Sequence, residues 1–205
     1  MRRFALAAVA LLLAACTSSQ ADPKPSGLND QPKSGTYAGF ALDPPRPRPS
    51  FTLTDNAGKA FSFGTVTQGH PTLLFFGYTN CPDICPATMA DISVALKKTP
   101  VALQRQTYVV FVSTDVKRDT GPVLTRWLHN FDAGTHAHFV GLRGSQAQVN
   151  AAQAAAHIFL AEDGGQTHST TVLLYGTDDY ARTSFVYNDN GEQEQIEHDL
   201  PIVAG

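Results

Sequence analysis

Apolar and polar positions in this chain fall into two regimes. After the first sixteen residues there is no sustained apolar period until about residue 48. From Ser50 onward, short apolar runs alternate with helically spaced stretches. "SFTLTD" alternates and predicts a strand. "NAGK" is a turn and "AFSF" a short partner, so the folded part opens on a β-hairpin. "HPTLLFFGYT" and "TYVVFVST" are continuous apolar runs, as expected of strands covered on both faces. Between them, roughly residues 82–98 keep Met89, Ile92 and Leu96 at helical spacing. "DTGPVLTRWLHNF" reads as a helix, with Asp119 and Thr120 as cap candidates and Pro122 in its first turn. "HFVGL" is a short strand, and "SQAQVNAAQAAAHI" an Ala-rich helix capped by Ser145. "TTVLLYG" and "RTSFVY" are two strands about a turn, and "GEQEQIEHDL" a final amphipathic helix.

The order is a hairpin, then βαβαβα, then ββα. Alternating strands and helices imply a mainly parallel sheet covered by helices on both faces, with an antiparallel edge from the closing strand pair. The expected fold class is α/β and thioredoxin-like, a central mixed sheet flanked by helices with an N-terminal β-hairpin. In open α/β folds function gathers beyond the carboxyl ends of the strands.

The first residues change the picture of where this domain works. "MRRFALAAVALLLAAC" opens on Arg2 and Arg3 and continues with an uncharged, largely apolar run, Phe4 to Ala15. A spanning helix needs about twenty apolar residues, so the run reads as a signal segment. "LAAC" resembles a bacterial lipobox, which makes Cys16 the expected lipidation site and new N-terminus. Three regions follow: a lipoprotein signal over 1–16, a disordered Pro/Ser/Gly-rich tether over 17–48, and the folded domain over 49–205. The expected location is the extracytoplasmic side of the cell membrane, held by a lipid anchor.

The formal charge is −3 and no basic stretch exceeds two residues, which excludes nucleic acid as a partner. The chain has three cysteines. With Cys16 lipidated, Cys81 and Cys85 are the mature protein's thiols, in a compartment where disulfides can persist. They stand in "GYTNCPDICPATM", between a buried strand and the following helix. A staple four residues long would remove little entropy from the unfolded chain. Cys81 at the helix cap, Pro82 at the first helical position and Cys85 one turn on would aim both sulfurs one way. The helix N-terminus favours thiolate, which serves disulfide exchange and metal binding alike.

A third ligand would decide between them. Of seven histidines, His129 and His198 fall on exposed helix faces, and His157 ends a helix. His70 precedes Pro71 at a strand start, and His136 and His138 form a loop pair. His168 lies in the Gly-rich "EDGGQTHS", before a buried strand, in a loop that such a fold returns beside the cysteine-bearing helix. That placement makes it the candidate third ligand.

Together "FFGYTNCPDICPATM", "STDVKRDT" and "THSTTVLLY" resemble the Sco/SenC family of copper proteins, from about Pro45 to the last helix. The resemblance implies a thioredoxin-like fold and copper, as copper(I), copper(II) or both, held by Cys81, Cys85 and His168. It implies a membrane-anchored chaperone that receives copper from a donor chaperone. It implies delivery to the binuclear centre of cytochrome c oxidase subunit II. Asp115 and Asp119 match the family's acidic stretch near the site; a strand-end turn and a helix cap are their structural alternatives. Thr167 stands where the family usually has Asp, and the segment before His168 is shorter than the family's hairpin. Two thiolates favour copper(I), and an imidazole accepts both oxidation states. Zinc could occupy the same set, but no fourth ligand is evident. The alternative function is a thiol–disulfide oxidoreductase acting on the oxidase subunit or another exported protein through Cys81 and Cys85. Against it stand the Cys-x-x-x-Cys spacing and the absence of proline from "GGQTHST". A peroxidase is a third class, but Tyr78 stands where peroxiredoxins carry threonine.

Overall fold

The computed structural model describes residues 36–187 and 191–205. Cys16, the signal segment and the tether up to residue 35 lie outside the described residues. Eight strands form one sheet in the order β1-β8-β7-β4-β5-β6-β2-β3. They are β1 Phe40–Pro47, β2 Thr52–Asp55, β3 Ala60–Ser62, β4 Thr72–Gly77, β5 Tyr108–Ser113, β6 His138–Arg143, β7 Thr171–Tyr175 and β8 Tyr180–Val186. The helices are α1 Phe63–Val66, α2 Ile84–Lys98, α3 Val101–Gln104, α4 Gly121–Asp132, α5 Gln146–Ala155 and α6 Glu192–Val203.

The two apolar runs become the sheet centre because their alternate residues serve two cores. Leu73 and Phe75 of β4, Val109 and Phe111 of β5, and Val172 and Leu174 of β7 face one side. There they meet Met89 and Ile92 of α2, Leu124 and Leu128 of α4, and Ile196 and Leu200 of α6. Leu74 and Phe76, Val110 and Val112, and Leu173 and Tyr175 face the other side, against Leu53, Phe61, Phe63 and Val149 of α5. Strands covered on both faces need no polar alternation, hence the unbroken apolar runs. α5 starts as expected, with Ser145 and Gln148 forming a reciprocal capping box.

The sheet is mixed, but it is not mainly parallel. Parallel pairing is confined to β4–β5 and β5–β6. β7 returns antiparallel to β4 and β8 antiparallel to β7, while the hairpin β2–β3 joins β6 antiparallel. Nor does the β7–β8 pair form the edge. β1 pairs antiparallel with β8 and covers it. The tether expected to run to residue 48 therefore gives way at Phe40 to a strand. Pro44, Pro45 and Pro47 belong to the stretch expected as tether, yet an outermost strand tolerates residues without an N–H.

Two buried side chains hold this strand. Asp199 on α6 accepts from the Ala38 and Gly39 amides at 2.7 and 3.0 Å, from Thr183 at 2.9 Å, and pairs with His198 at 2.7 Å. Arg48, just beyond β1, has a side chain only 3% exposed. It donates to Asp179, Thr67, Thr72 and the carbonyls of His70 and Gly176. Its guanidinium lies 5.1 Å from the Tyr175 ring centroid. No helix among the described residues is long and apolar enough to cross a membrane.

Candidate metal centre

The cysteine turn leaves the carboxyl end of β4, as expected. Gly77 closes the strand, and a Cβ there would sit 2.9 Å from the Cys85 sulfur and 3.0 Å from Phe111. The sulfur uses the space that glycine leaves. α2 begins later than the sequence suggests. Asp83 is the N-cap and its side chain makes no cap bond, so Cys81 and Pro82 lie outside the helix. The Cys81 sulfur instead accepts from the Cys85 amide at 3.4 Å. One thiol thus caps the helix that carries the other.

This geometry separates the two thiols. Burial opposes ionisation of Cys81, but hydrogen bonds from the Asp83 and Cys85 backbone, and from the Cys85 and Tyr78 side chains, outweigh it. Its pKa falls below the ordinary thiol value. Cys85 is fully buried, and burial, with Cys81 and Asp119 nearby, pushes its thiol up. Both cysteines are free thiols.

His168 reaches the same place from the loop between α5 and β7. Within the loop Glu162 and Thr167 pair in an isolated bridge, and Asp163–Gly165 form a tight 3-10 turn. The ring nitrogen Nδ1 lies 2.8 Å from the Ser169 carbonyl, and Nε2 lies 3.5 Å from the Cys85 sulfur. A carbonyl only accepts, so Nδ1 carries the proton and Nε2 presents a lone pair to Cys85. Burial lowers the pKa of the ring, against the hydrogen bonds of Ser169 and Phe76, which favours this neutral form. Tyr78 stands edge-on to the ring at 5.5 Å, with an interplanar angle of 89°. With Thr167 in place of an acidic neighbour, the Ser169 carbonyl takes the outer-shell task of fixing the imidazole.

A metal bonded to sulfur at about 2.3 Å and imidazole nitrogen at about 2.0 Å, at a tetrahedral angle, separates the two atoms by about 3.5 Å. Cys85 and His168 stand at that separation. No group of three or more His, Cys, Asp or Glu among the described residues is gathered to hold a metal as it stands. Cys81, the third donor expected from the sequence, holds its sulfur against the Cys85 amide.

The other candidates lie elsewhere. His70 and His138 bond the Gln106 and Arg105 carbonyls and flank Tyr108, at the amino ends of β4, β5 and β6. His129 pairs with Asp132 and His198 with Asp199. His136 and His157 are exposed. Asp115 pairs with Arg118. Asp119 is not the helix cap, a position Thr120 holds. Its buried carboxylate accepts from the Thr79 amide at 3.0 Å and from the Thr79 and Ser113 hydroxyls, each at 2.6 Å. It therefore ties the residue two before Cys81 to the end of β5. In Asp119→Asn one acceptor oxygen becomes an amide donor facing these donors. The loss should be about 1–3 kcal/mol of stability, read from urea midpoints; an unchanged midpoint would remove Asp119 from this role. Ser169 and Thr114, which also hold the site, lie within the quoted motifs but were not singled out as site residues. Gly77 carries a sequence signal, as a glycine closing a buried apolar run.

Compared with known proteins, residues 41–201 match the SCO1/SenC family model. The SCO2-like protein of Rickettsia felis is 30% identical over 145 residues, 69% of this chain and 64% of that protein. The chain thus aligns with less than two-thirds of that relative's length. Copper-bound ScoI of Bradyrhizobium japonicum superposes with a TM-score of 0.63 at 29% identity, over 77% of this chain and 99% of that one. Apo Sco1 of Thermus thermophilus gives 0.68 at 27% identity, over 83% of this chain and all of the other (100%).

Proposed function

The chain belongs to the SCO1/SenC family, and on that premise we propose that it is an extracytoplasmic copper carrier. Cys81, Cys85 and His168 hold the ion, and the acceptor is cytochrome c oxidase subunit II. The observation that carries this reading is the 3.5 Å approach of His168 Nε2 to the Cys85 sulfur. Disulfide exchange has no need of a neutral imidazole with its lone pair turned onto the buried thiol. A soft metal does. Both thiols surrender their protons on loading, Cys81 the more readily. Three donors leave a position open, through which an acceptor's thiolate takes the ion. Copper is cargo here, and a closed fourth ligand would hold it against transfer. A donor chaperone loads the site, and lipidation of Cys16 keeps the domain at the outer face of the membrane.

The test is titration of the reduced domain with copper(I) against a competing chelator, with mass measured in native conditions. One ion should bind. Cys81→Ser, Cys85→Ser and His168→Ala should each weaken it, and a Cys81–Cys85 disulfide should abolish it, since a disulfide offers no thiolate. Undiminished copper(I) affinity in His168→Ala would leave at most a two-thiolate clamp. Mass spectrometry finding unmodified Cys16 in the membrane-bound mature protein would sink the anchor.

One observation favours a second reading. Cys81 is half-buried with a lowered pKa, and Cys85 waits behind it with a raised one. That is the asymmetry of an attacking and a resolving thiol in a disulfide reductase. His168→Ala separates the two. A carrier carrying it assembles little active oxidase in copper-limited cells, and added copper partly restores assembly. A reductase carrying it assembles oxidase normally, while Cys81→Ser does not.

A further inference from the structure

The two segments that form the site belong to neighbouring strands, β4 and β7, both on the same side of β5. The cysteine turn starts at Gly77, where β4 pairs with β5. The His168 loop leads into β7, on the far side of β4. To place His168 over Cys85 the loop must cross the carboxyl end of β4. What meets it there is Thr114, the first residue beyond β5, fully buried. The Thr114 amide donates to the Gly77 carbonyl at 2.8 Å. Its hydroxyl lies 2.6 Å from the Gly165 carbonyl and 3.1 Å from the Gly77 carbonyl. A hydroxyl has one proton to give, and the shorter contact takes it. Gly165 is three residues before His168. One buried residue therefore bonds both the strand end that launches the cysteines and the turn that launches the histidine.

We propose that Thr114 is a positioning residue of the metal centre, its hydroxyl holding the Gly165 carbonyl so that His168 stands within bonding reach of a metal on Cys85. The proposal deepens the copper reading above and rests on it for its functional meaning. Thr114 touches neither the thiols nor the imidazole and acts through the loop alone. Valine in its place has the same shape and no proton to donate. The Gly165 carbonyl then loses that donor, and the loop is free to lift. The thiols stay where they are, because the Thr114 amide still binds Gly77. Copper(II), which leans on nitrogen more than copper(I) does, should feel the change more.

The experiment compares wild type, Thr114→Val and Thr114→Ser as the full folded domain. In the reduced metal-free protein, the nuclear Overhauser contact between the His168 ring and Cys85 should vanish in Thr114→Val. Amide exchange over 162–168 should accelerate at least about tenfold, with α2 unchanged. With copper(II) added, the nitrogen coupling in the electron paramagnetic resonance spectrum should weaken. Affinity should fall about tenfold, the low end for an outer-shell partner. Thr114→Ser should restore all of these. An intact His168–Cys85 contact and wild-type loop exchange in Thr114→Val would overturn the proposal, even if the thermal midpoint fell. The metal-free contact decides Thr114 by itself. If wild type binds no copper, or His168→Ala binds it as well as wild type, it is the copper reading that falls.

Discussion

Arg48→Met should lower the unfolding free energy by about 3–5 kcal/mol, the scale seen when one partner of a buried charged network is removed. The guanidinium serves five acceptors: a carboxylate, two hydroxyls and two carbonyls. Methionine fills much of the volume and serves none of them. Asp179 is about a third exposed and can rehydrate, but Thr67 and Thr72 are fully buried. In a chain of this size such a loss lowers the thermal midpoint by roughly 6–20 °C. Arg48→Lys should recover only part of it, because one ammonium cannot reach acceptors arranged around a planar fork. Copper affinity should stay near wild type at temperatures where the variant remains folded. Urea unfolding decides the matter; a loss below about 1 kcal/mol, the scale of ordinary surface changes, would show that the network is dispensable.

Gly165→Ala should act on the site instead. A Cβ at Gly165 would stand 2.1 Å from the Thr114 carbonyl oxygen, a backbone atom, and Gly165 has φ of +97°. Neither constraint relaxes by turning a side chain, so the Asp163–Gly165 turn must lift off β5. His168, three residues on, leaves Cys85 with it. The expected result is a copper affinity about as low as that of His168→Ala, with little change in overall unfolding, because the Asp163–Gly165 turn contributes no residue to either core. Competition titration of the two variants side by side measures this. Wild-type affinity in Gly165→Ala would mean that the loop does not position the histidine.

The central strands were legible because burial on both faces leaves continuous apolar runs, and α5 because Ser145 announces its start. The direction in which β7 returns beside β4 was not. β7 and β5 have similar apolar patterns, yet one runs antiparallel to β4 and the other parallel. β1 was hidden by its prolines, which argue against a central strand but not against an edge. Within the site, the cysteine turn and His168 could be picked out, since each stands next to a predicted buried strand. The start of α2 was placed too early, because Pro82 is a favoured first helical residue and nothing local showed that the Cys81 sulfur would do the capping. The Ser169 carbonyl and the Thr114 hydroxyl act through atoms that many residue types could supply, so their roles exist only once the loop has crossed β4.

The grip of Asp199 on Ala38 and Gly39 has a mechanical side. A pull on the chain upstream of these residues would bear on Tyr37, which packs against the core, and on the two amides. The load would pass to α6 through Asp199, to β8 through Thr183 and the strand pairing, and at the other end of β1 to Arg48. The turn holding Cys81 and Cys85 and the loop holding His168 stand one step further on, behind α2, which packs on α6, and β7, which pairs with β8. A pull on the N-terminal end of the domain thus reaches α6 and the outer strands before it reaches the thiols and the imidazole.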